Sequence, residues 1–86
     1  MKCQLVGFNN YSITNRETGT VSNACSLYFV RKPKLTENGV VGNVCVGCTV
    51  YDEAIKKLPD LKVGTNYDCD INSFKGKNYL NDMVEA

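Results

Sequence analysis

Five stretches of the chain alternate apolar and polar residues with a period of two, the pattern of strands whose two faces differ. They are rich in β-branched and aromatic residues and are separated by turn residues such as Asn38-Gly39 and Gly76. The pattern therefore predicts five strands, in residues 2–14, 21–32, 44–52, 67–72 and 79–85. We expect a bulge at Asn9-Asn10 in the first strand.

The strands differ in how apolar and polar residues are distributed over their two faces. In the third strand Val44, Val46, Cys48 and Val50 share one face, and Cys45, Gly47, Thr49 and Tyr51 share the other. The second strand carries apolar residues on both faces, which predicts a central position in the sheet. The fourth strand has one polar face, formed by Asp68, Asp70 and Asn72.

A short helix is predicted between the third and fourth strands. Asp52 is a favourable N-cap, Glu53 suits the first turn, and Ile55 and Leu58 share an apolar side. Pro59 ends the helix after about two turns.

This order of elements predicts a mainly β protein, a five-stranded OB-type barrel with one short helix between strands 3 and 4. An SH3-like barrel and a small open α+β sheet remain alternatives. The 86 residues show no break in composition, so we expect a single OB-like domain over residues 1–86.

The first residues contain no long apolar run, so neither a secretory signal nor a membrane span is expected. The five cysteines are an odd number, which argues against a closed disulfide framework. Both observations favour a reducing cytoplasm. The formal net charge of +1 permits a local basic surface without requiring one.

Cys45 and Cys48 have the Cys-x-x-Cys spacing found in zinc and redox sites. Zinc needs four ligands, and the chain has no histidine and no second such pair. A redox pair should open a helix, whereas these cysteines lie in a run of valines. Within a strand they face opposite ways. We interpret them as strand residues, with a metal site and a redox pair as the alternatives.

Enzymatic chemistry has little support in the sequence. Without histidine there is no Ser-His or Cys-His pair, and no phosphate loop or dinucleotide glycine pattern is present. Asp68 and Asp70 are interpreted as a solvated strand face. We therefore predict a protein that is not an enzyme and uses no metal or other cofactor.

Aromatic and basic side chains form the combination that holds single-stranded nucleic acid, because aromatic faces stack on bases and cations contact phosphates. Candidate stacking residues are Tyr11, Tyr28, Tyr51, Phe74 and Tyr79, and candidate cations are Arg16, Arg31, Lys32, Lys34, Lys75 and Lys77. The alternative is that the aromatic residues fill the core or a dimer interface.

Three stretches carry a resemblance to a known family: NRETGTVSN leading into SLYFVRK, the helix and turn before the fourth strand, and NSFKGKNYLNDM. The chain resembles the small OB-fold single-stranded DNA-binding proteins of filamentous phages, the gene-five type, and related proteins of phages and mobile elements. The resemblance implies DNA contacts at Arg16, Tyr28 and Tyr79, with Lys75 or Lys77 nearby. It also implies a cooperative homodimer. Cys25 departs from the family, which tends to have a stacking tyrosine there.

From these observations we predict a non-sequence-specific single-stranded DNA-binding protein of a phage or mobile element, acting in DNA replication in the cytoplasm of a bacterial host. RNA would satisfy the same contacts. The predicted site residues are Arg16, Tyr28, Lys32, Lys75, Lys77 and Tyr79. The alternatives are a protein-interaction module, or a phage accessory or structural protein, on the same small β-barrel, and a small zinc-binding protein.

Overall fold

A computed structural model describes residues 1–86 as five antiparallel strands in one sheet and a single short 3₁₀ helix. The strands are β1 (Lys2–Thr14), β2 (Val21–Arg31), β3 (Val44–Tyr51), β4 (Asn66–Phe74) and β5 (Lys77–Glu85), and the helix is Asp52–Lys57. Their order in the sheet is β3-β2-β1-β4-β5. The five predicted strands and the central position of β2 are therefore confirmed.

The prediction of a bulge at Asn9-Asn10 is wrong. Both residues lie in regular pairing with β2, and the irregularity falls between Leu5 and Gly7. Leu5 lies opposite Phe29, whereas Gly7 lies opposite Tyr28, so Val6 is the extra residue. The bulge therefore changes which residues of β1 face outward. From Gly7 onward the odd-numbered positions join the outer face of the sheet, the face opposite the core.

The core lies on the inner face of the curved sheet. β1 to β4 contribute to it at alternate positions, as the alternation predicts. β5 contributes only Met83, because a register shift between Leu80 and Asp82 interrupts its period of two. The buried cluster consists of Cys3, Leu5, Cys25, Leu27, Phe29, Cys48, Val50, Tyr67, Cys69 and Met83. Cys25, the residue that departs from the family pattern, is thus a core residue with no exposed surface.

The predicted helix exists but is of the 3₁₀ type, and Asp52 is not its N-cap. Asp52 is itself the first helical residue and has a φ of 46°, in the left-handed region. Its carboxylate accepts a hydrogen bond from the Asn23 amide at 3.0 Å. Asp52 therefore continues the bonding between β2 and β3 beyond the last strand pair instead of capping the helix. No helix of the protein has the length and apolar content needed to cross a bilayer.

The sheet is not closed. β1 pairs along its length with β2 but meets β4 only through residues Lys2–Gln4. The outermost strands, β3 and β5, approach each other without sharing a ladder. A side-chain hydrogen bond from Asn78 Nδ2 to the Gly47 carbonyl oxygen, at 3.1 Å, spans the opening. This contact places the β4–β5 hairpin beside the outer face of β2 and β3.

Candidate nucleic-acid interface

Tyr28 occupies an unusually open position on the outer face of β2. Its two cross-strand neighbours are both glycines, Gly7 on β1 and Gly47 on β3. A Cβ on Gly7 would lie 3.6 Å from the ring, and one on Gly47 would lie 3.8 Å from it. Neither glycine has a positive φ, so backbone conformation does not require them. Their effect is to leave the Tyr28 ring without flanking side chains.

The next row of the outer face is polar and fixed by hydroxyl groups. Ser26 lies beside Tyr28 on the same face and is the one polar residue that is buried. Its Oγ shares hydrogen bonds with Tyr11 Oη and Thr49 Oγ1, each 3.1 Å long. These bonds connect β1, β2 and β3 across the outer face, so they hold the surface around Tyr28 in one arrangement.

Asn78 fixes the β4–β5 hairpin against β3. Its side-chain oxygen accepts a hydrogen bond from Ser73 Oγ at 2.6 Å, and its nitrogen donates to the Gly47 carbonyl oxygen. Because one amide group makes both contacts, its orientation is determined. The residues on either side of it, Lys77 and Tyr79, are thereby held near β3.

These elements form a groove of ≈ 540 Å³, which we call the tyrosine groove. It is lined by Ser26, Tyr28, Gly47, Cys48, Thr49, Tyr51, Gly76, Lys77, Asn78 and Tyr79. The three tyrosines are 49%, 51% and 47% exposed at positions 28, 51 and 79, so about half of each side chain is free to contact a ligand. Lys77 is the single charged residue of the lining, and no carboxylate lines it.

The structure thus brings together Tyr28, Lys77 and Tyr79 among the residues singled out from the sequence. Lys75 lies close by at the tip of the β4–β5 hairpin, where its Nζ stands 5.4 Å from the centroid of the Phe74 ring. Lys75 therefore lies next to that end of the groove which is formed by Gly76 and Lys77, with its side chain in a cation–π contact with Phe74.

The other two predicted residues, Arg16 and Lys32, lie away from the groove. Arg16 lies in the turn between β1 and β2. Lys32 follows the end of β2 and lines a separate cleft of ≈ 560 Å³, together with Met1, Lys2, Gln4, Val30, Arg31, Lys34, Asn43 and Asn66. The structure therefore distributes the predicted cations over three places.

The sequence analysis missed two features of this site. The first is the pair of glycines beside Tyr28, because their alignment depends on the bulge at Val6. The second is Asn78, which joins the hairpin to β3. A polar residue beside Lys77 is ordinary in a hairpin, and no signal in the sequence marks its long-range partner.

Cys45 and Cys48 lie on opposite faces of β3, as the strand interpretation predicts. Cys45 is exposed on the outer face, and Cys48 is buried in the core. Burial raises the pKa of the Cys48 thiol to about 11 and that of the Cys69 thiol to about 12. The structure brings together no group of three or more His, Cys, Asp or Glu that could hold a metal ion.

Comparison of the chain with protein-family models, with curated proteins and with solved structures found no match.

Proposed function

We propose that the protein binds single-stranded DNA in the tyrosine groove, without sequence preference and without catalysis. The observation that carries this proposal is the clustering of three half-exposed tyrosines and a lysine in one groove that no carboxylate lines. Aromatic rings stack on any base, which favours unpaired strands over duplexes. Lys77 and Lys75 supply charge for the phosphates.

The fold supports the same proposal. We propose that the sheet is a partly open OB-type barrel, because the strand order and the helix between β3 and β4 agree with that architecture. OB folds bind oligonucleotides on the face of strands 2 and 3, beside the loop between strands 4 and 5. The tyrosine groove occupies the corresponding position, between β2, β3 and the β4–β5 hairpin.

Fluorescence anisotropy with labelled oligo-dT, at low and moderate salt and with duplex DNA as competitor, tests the proposal. We expect the protein to bind oligo-dT in a salt-sensitive manner, and we expect duplex DNA to be a weak competitor. Tyr28→Ala and Tyr79→Ala should each weaken binding at every salt concentration, by about 1–3 kcal/mol for a lost base stack. Tyr28→Phe is the matched control, because it keeps the ring and should bind like the parent.

The lysines act differently in this proposal. Replacing Lys75 and Lys77 together with alanine should reduce the salt dependence of binding, since fewer counterions are released. Absence of oligo-dT binding at low salt would exclude the proposal, and the sheet would then serve a protein partner. Competition by oligo-U as effective as that by oligo-dT would make RNA an equal ligand.

We further propose that the protein is a homodimer acting in replication of a phage or mobile element, in a bacterial cytoplasm, as the family resemblance implies. Leu35 and Val41 are 96% and 98% exposed in the loop between β2 and β3, so a dimer interface there would bury two apolar side chains. Sedimentation equilibrium of the parent and of a Leu35→Ser, Val41→Ser variant tests the dimer. A parent that sediments as a monomer would exclude it.

A further inference from the structure

The cleft that contains Lys32 is the second large concavity of the protein and carries a strong positive charge. Lys2, Lys32 and Lys34 line it together with Arg31, and no carboxylate is part of its lining. We call these four residues and their surroundings the basic cleft. The three lysines make no ion pair.

The nearest carboxylates are already engaged. Glu37 Oε1 accepts a hydrogen bond from Arg31 Nη1 at 2.7 Å, and Glu37 Oε2 accepts one from Arg31 Nη2 at 3.1 Å. Asp68 accepts a hydrogen bond from the amino group of Met1 at 2.9 Å. Both carboxylates therefore pair with Arg31 or with the amino terminus, and neither forms an ion pair with a lysine of the cleft.

A buried donor in the cleft also lacks a partner. Arg31 Nε is buried and has no hydrogen-bond acceptor in the protein. This atom has no exposed surface, so the groups that an anion entering the cleft would meet are the three unpaired lysines.

The basic cleft continues the surface of the tyrosine groove. Tyr28 lines the groove and Val30 lines the cleft, two residues apart on the same face of β2, and Lys32 follows directly. Four extended residues span about 13 Å, so Lys32 lies within reach of a strand that stacks on Tyr28. The row of outer-face residues next to Tyr28 on this side is Gln4, Val30 and Cys45, and the first two already line the cleft.

We propose that the basic cleft binds phosphates of the same single strand where it leaves the tyrosine groove along β2. This inference rests on the proposed function and extends it. It gives the path of the bound strand across the surface, from the tyrosine groove to the basic cleft, and it adds Lys2 and Lys34 to the site.

The test compares two lengths of oligo-dT, about 4 and about 12 nucleotides, both within the range of site sizes for OB folds. The variant replaces Lys2 and Lys34 with alanine. The matched control replaces Lys56 and Lys57 of the 3₁₀ helix, which changes the net charge equally and leaves the basic cleft intact. Thermal unfolding monitored by circular dichroism verifies that all chains are folded.

With the longer oligonucleotide, the cleft variant should lose about 1.4 from the slope of log K against log salt, because each phosphate neutralised on a single strand contributes about 0.7. With the shorter one it should bind like the parent, and the control should keep the parent's slope with both. An unchanged slope in the cleft variant would overturn this inference while leaving the tyrosine groove as the site. A parent that binds neither length would overturn both proposals.

Discussion

Tyr28 lies directly opposite Gly47 across the β2–β3 pair, and a Cβ on that glycine would come within 3.8 Å of the tyrosine ring. Glycine weakens a strand, because it adds backbone entropy to the unfolded chain and offers no side chain to pack. At Gly47 the loss of stability is accompanied by a gain in access, because the missing side chain leaves the ring of Tyr28 open from the side of β3. The same holds for Gly7 on β1.

Substitutions of Gly47 should therefore separate stability from binding. Gly47→Ala places a methyl group in ordinary contact with the ring, so we expect it to keep its affinity for oligo-dT and to gain about 0.5–1 kcal/mol of stability. Gly47→Val adds bulk beside the ring and should weaken binding about tenfold. This corresponds to about 1.4 kcal/mol, which lies within the roughly 1–3 kcal/mol that one stacked base contributes. Urea unfolding and anisotropy measure the two effects. A valine variant that binds like the parent would show that Tyr28 does not stack on DNA.

Asn78 should influence binding through the position of the hairpin. Asn78→Ala removes the bond to the Gly47 carbonyl oxygen, so Lys77 and Tyr79 lose their connection to β3. We expect weaker binding of oligo-dT and a stability loss of about 1 kcal/mol, the usual value of one net hydrogen bond. Ser73→Ala is the control, because it removes the contact to Asn78 Oδ1 and leaves the bond to β3. Equal affinities of parent and Asn78→Ala would contradict this positioning role.

The strands could be predicted from the sequence because their signal is local. A period of two in residues such as Val44–Tyr51 reports which side chains face a core, whatever that core contains. That Asp52 is not the N-cap of the helix could not be predicted, because its carboxylate binds the backbone amide of Asn23 on β2 instead. Such a contact exists only once β2 and β3 have paired.

The candidate site was predicted in part for the same reason. Tyr28, Lys77 and Tyr79 were identified by residue type, which the sequence gives directly. The open ring of Tyr28 depends on register, and one extra residue at Val6 decides that Gly7 is its neighbour. A bulge placed at Asn9-Asn10 instead would have left a different residue of β1 beside the ring.

The buried Tyr67 should stabilise the loop that leads into β4. Its hydroxyl donates to the Asp60 carbonyl oxygen at 2.7 Å and accepts from the Lys62 amide at 2.9 Å. Tyr67→Phe leaves both backbone groups without this partner, so we expect a loss of about 1–3 kcal/mol in urea unfolding. Oligo-dT affinity should be unchanged, because Tyr67 belongs to the core. A stability equal to that of the parent would show that water replaces the hydroxyl without cost.

Cys45 should be the one reactive thiol of the folded protein. It is exposed, whereas Cys3, Cys25, Cys48 and Cys69 are buried, and burial raises the pKa of each of these four thiols. Since the thiolate is the reactive form, a thiol reagent should modify one cysteine per native chain and all five after unfolding. Cys45→Ser should abolish the native reaction.

The same thiol provides a footprint of the bound strand. Cys45 lies on the outer face opposite Val30, which lines the basic cleft, so a strand that passes from the tyrosine groove into this cleft along β2 should cover it. We expect saturating oligo-dT of about 12 nucleotides to slow modification of Cys45 markedly. Unchanged reactivity under saturation would place the strand elsewhere on the protein.

Glu37 should make stability depend on pH in the acidic range. Hydrogen bonds from the Arg31 guanidinium and from the Lys34 amide lower the pKa of its carboxyl from an ordinary 4.5 to about 2. A carboxyl with a lowered pKa in the folded state stabilises the protein above its unfolded pKa, and the contribution disappears as pH falls through the folded value. Glu37→Gln should therefore be less stable than the parent near neutral pH, and the difference should vanish between pH 4.5 and about 2.

Urea unfolding of both chains across this pH range measures the effect, with Glu17→Gln as the control, because Glu17 makes no ion pair. The control should follow the parent throughout. If Glu37→Gln remained less stable by the same amount at about pH 2, its effect would come from the shape or hydrogen bonding of the side chain, and the charge of the Arg31–Glu37 pair would contribute nothing.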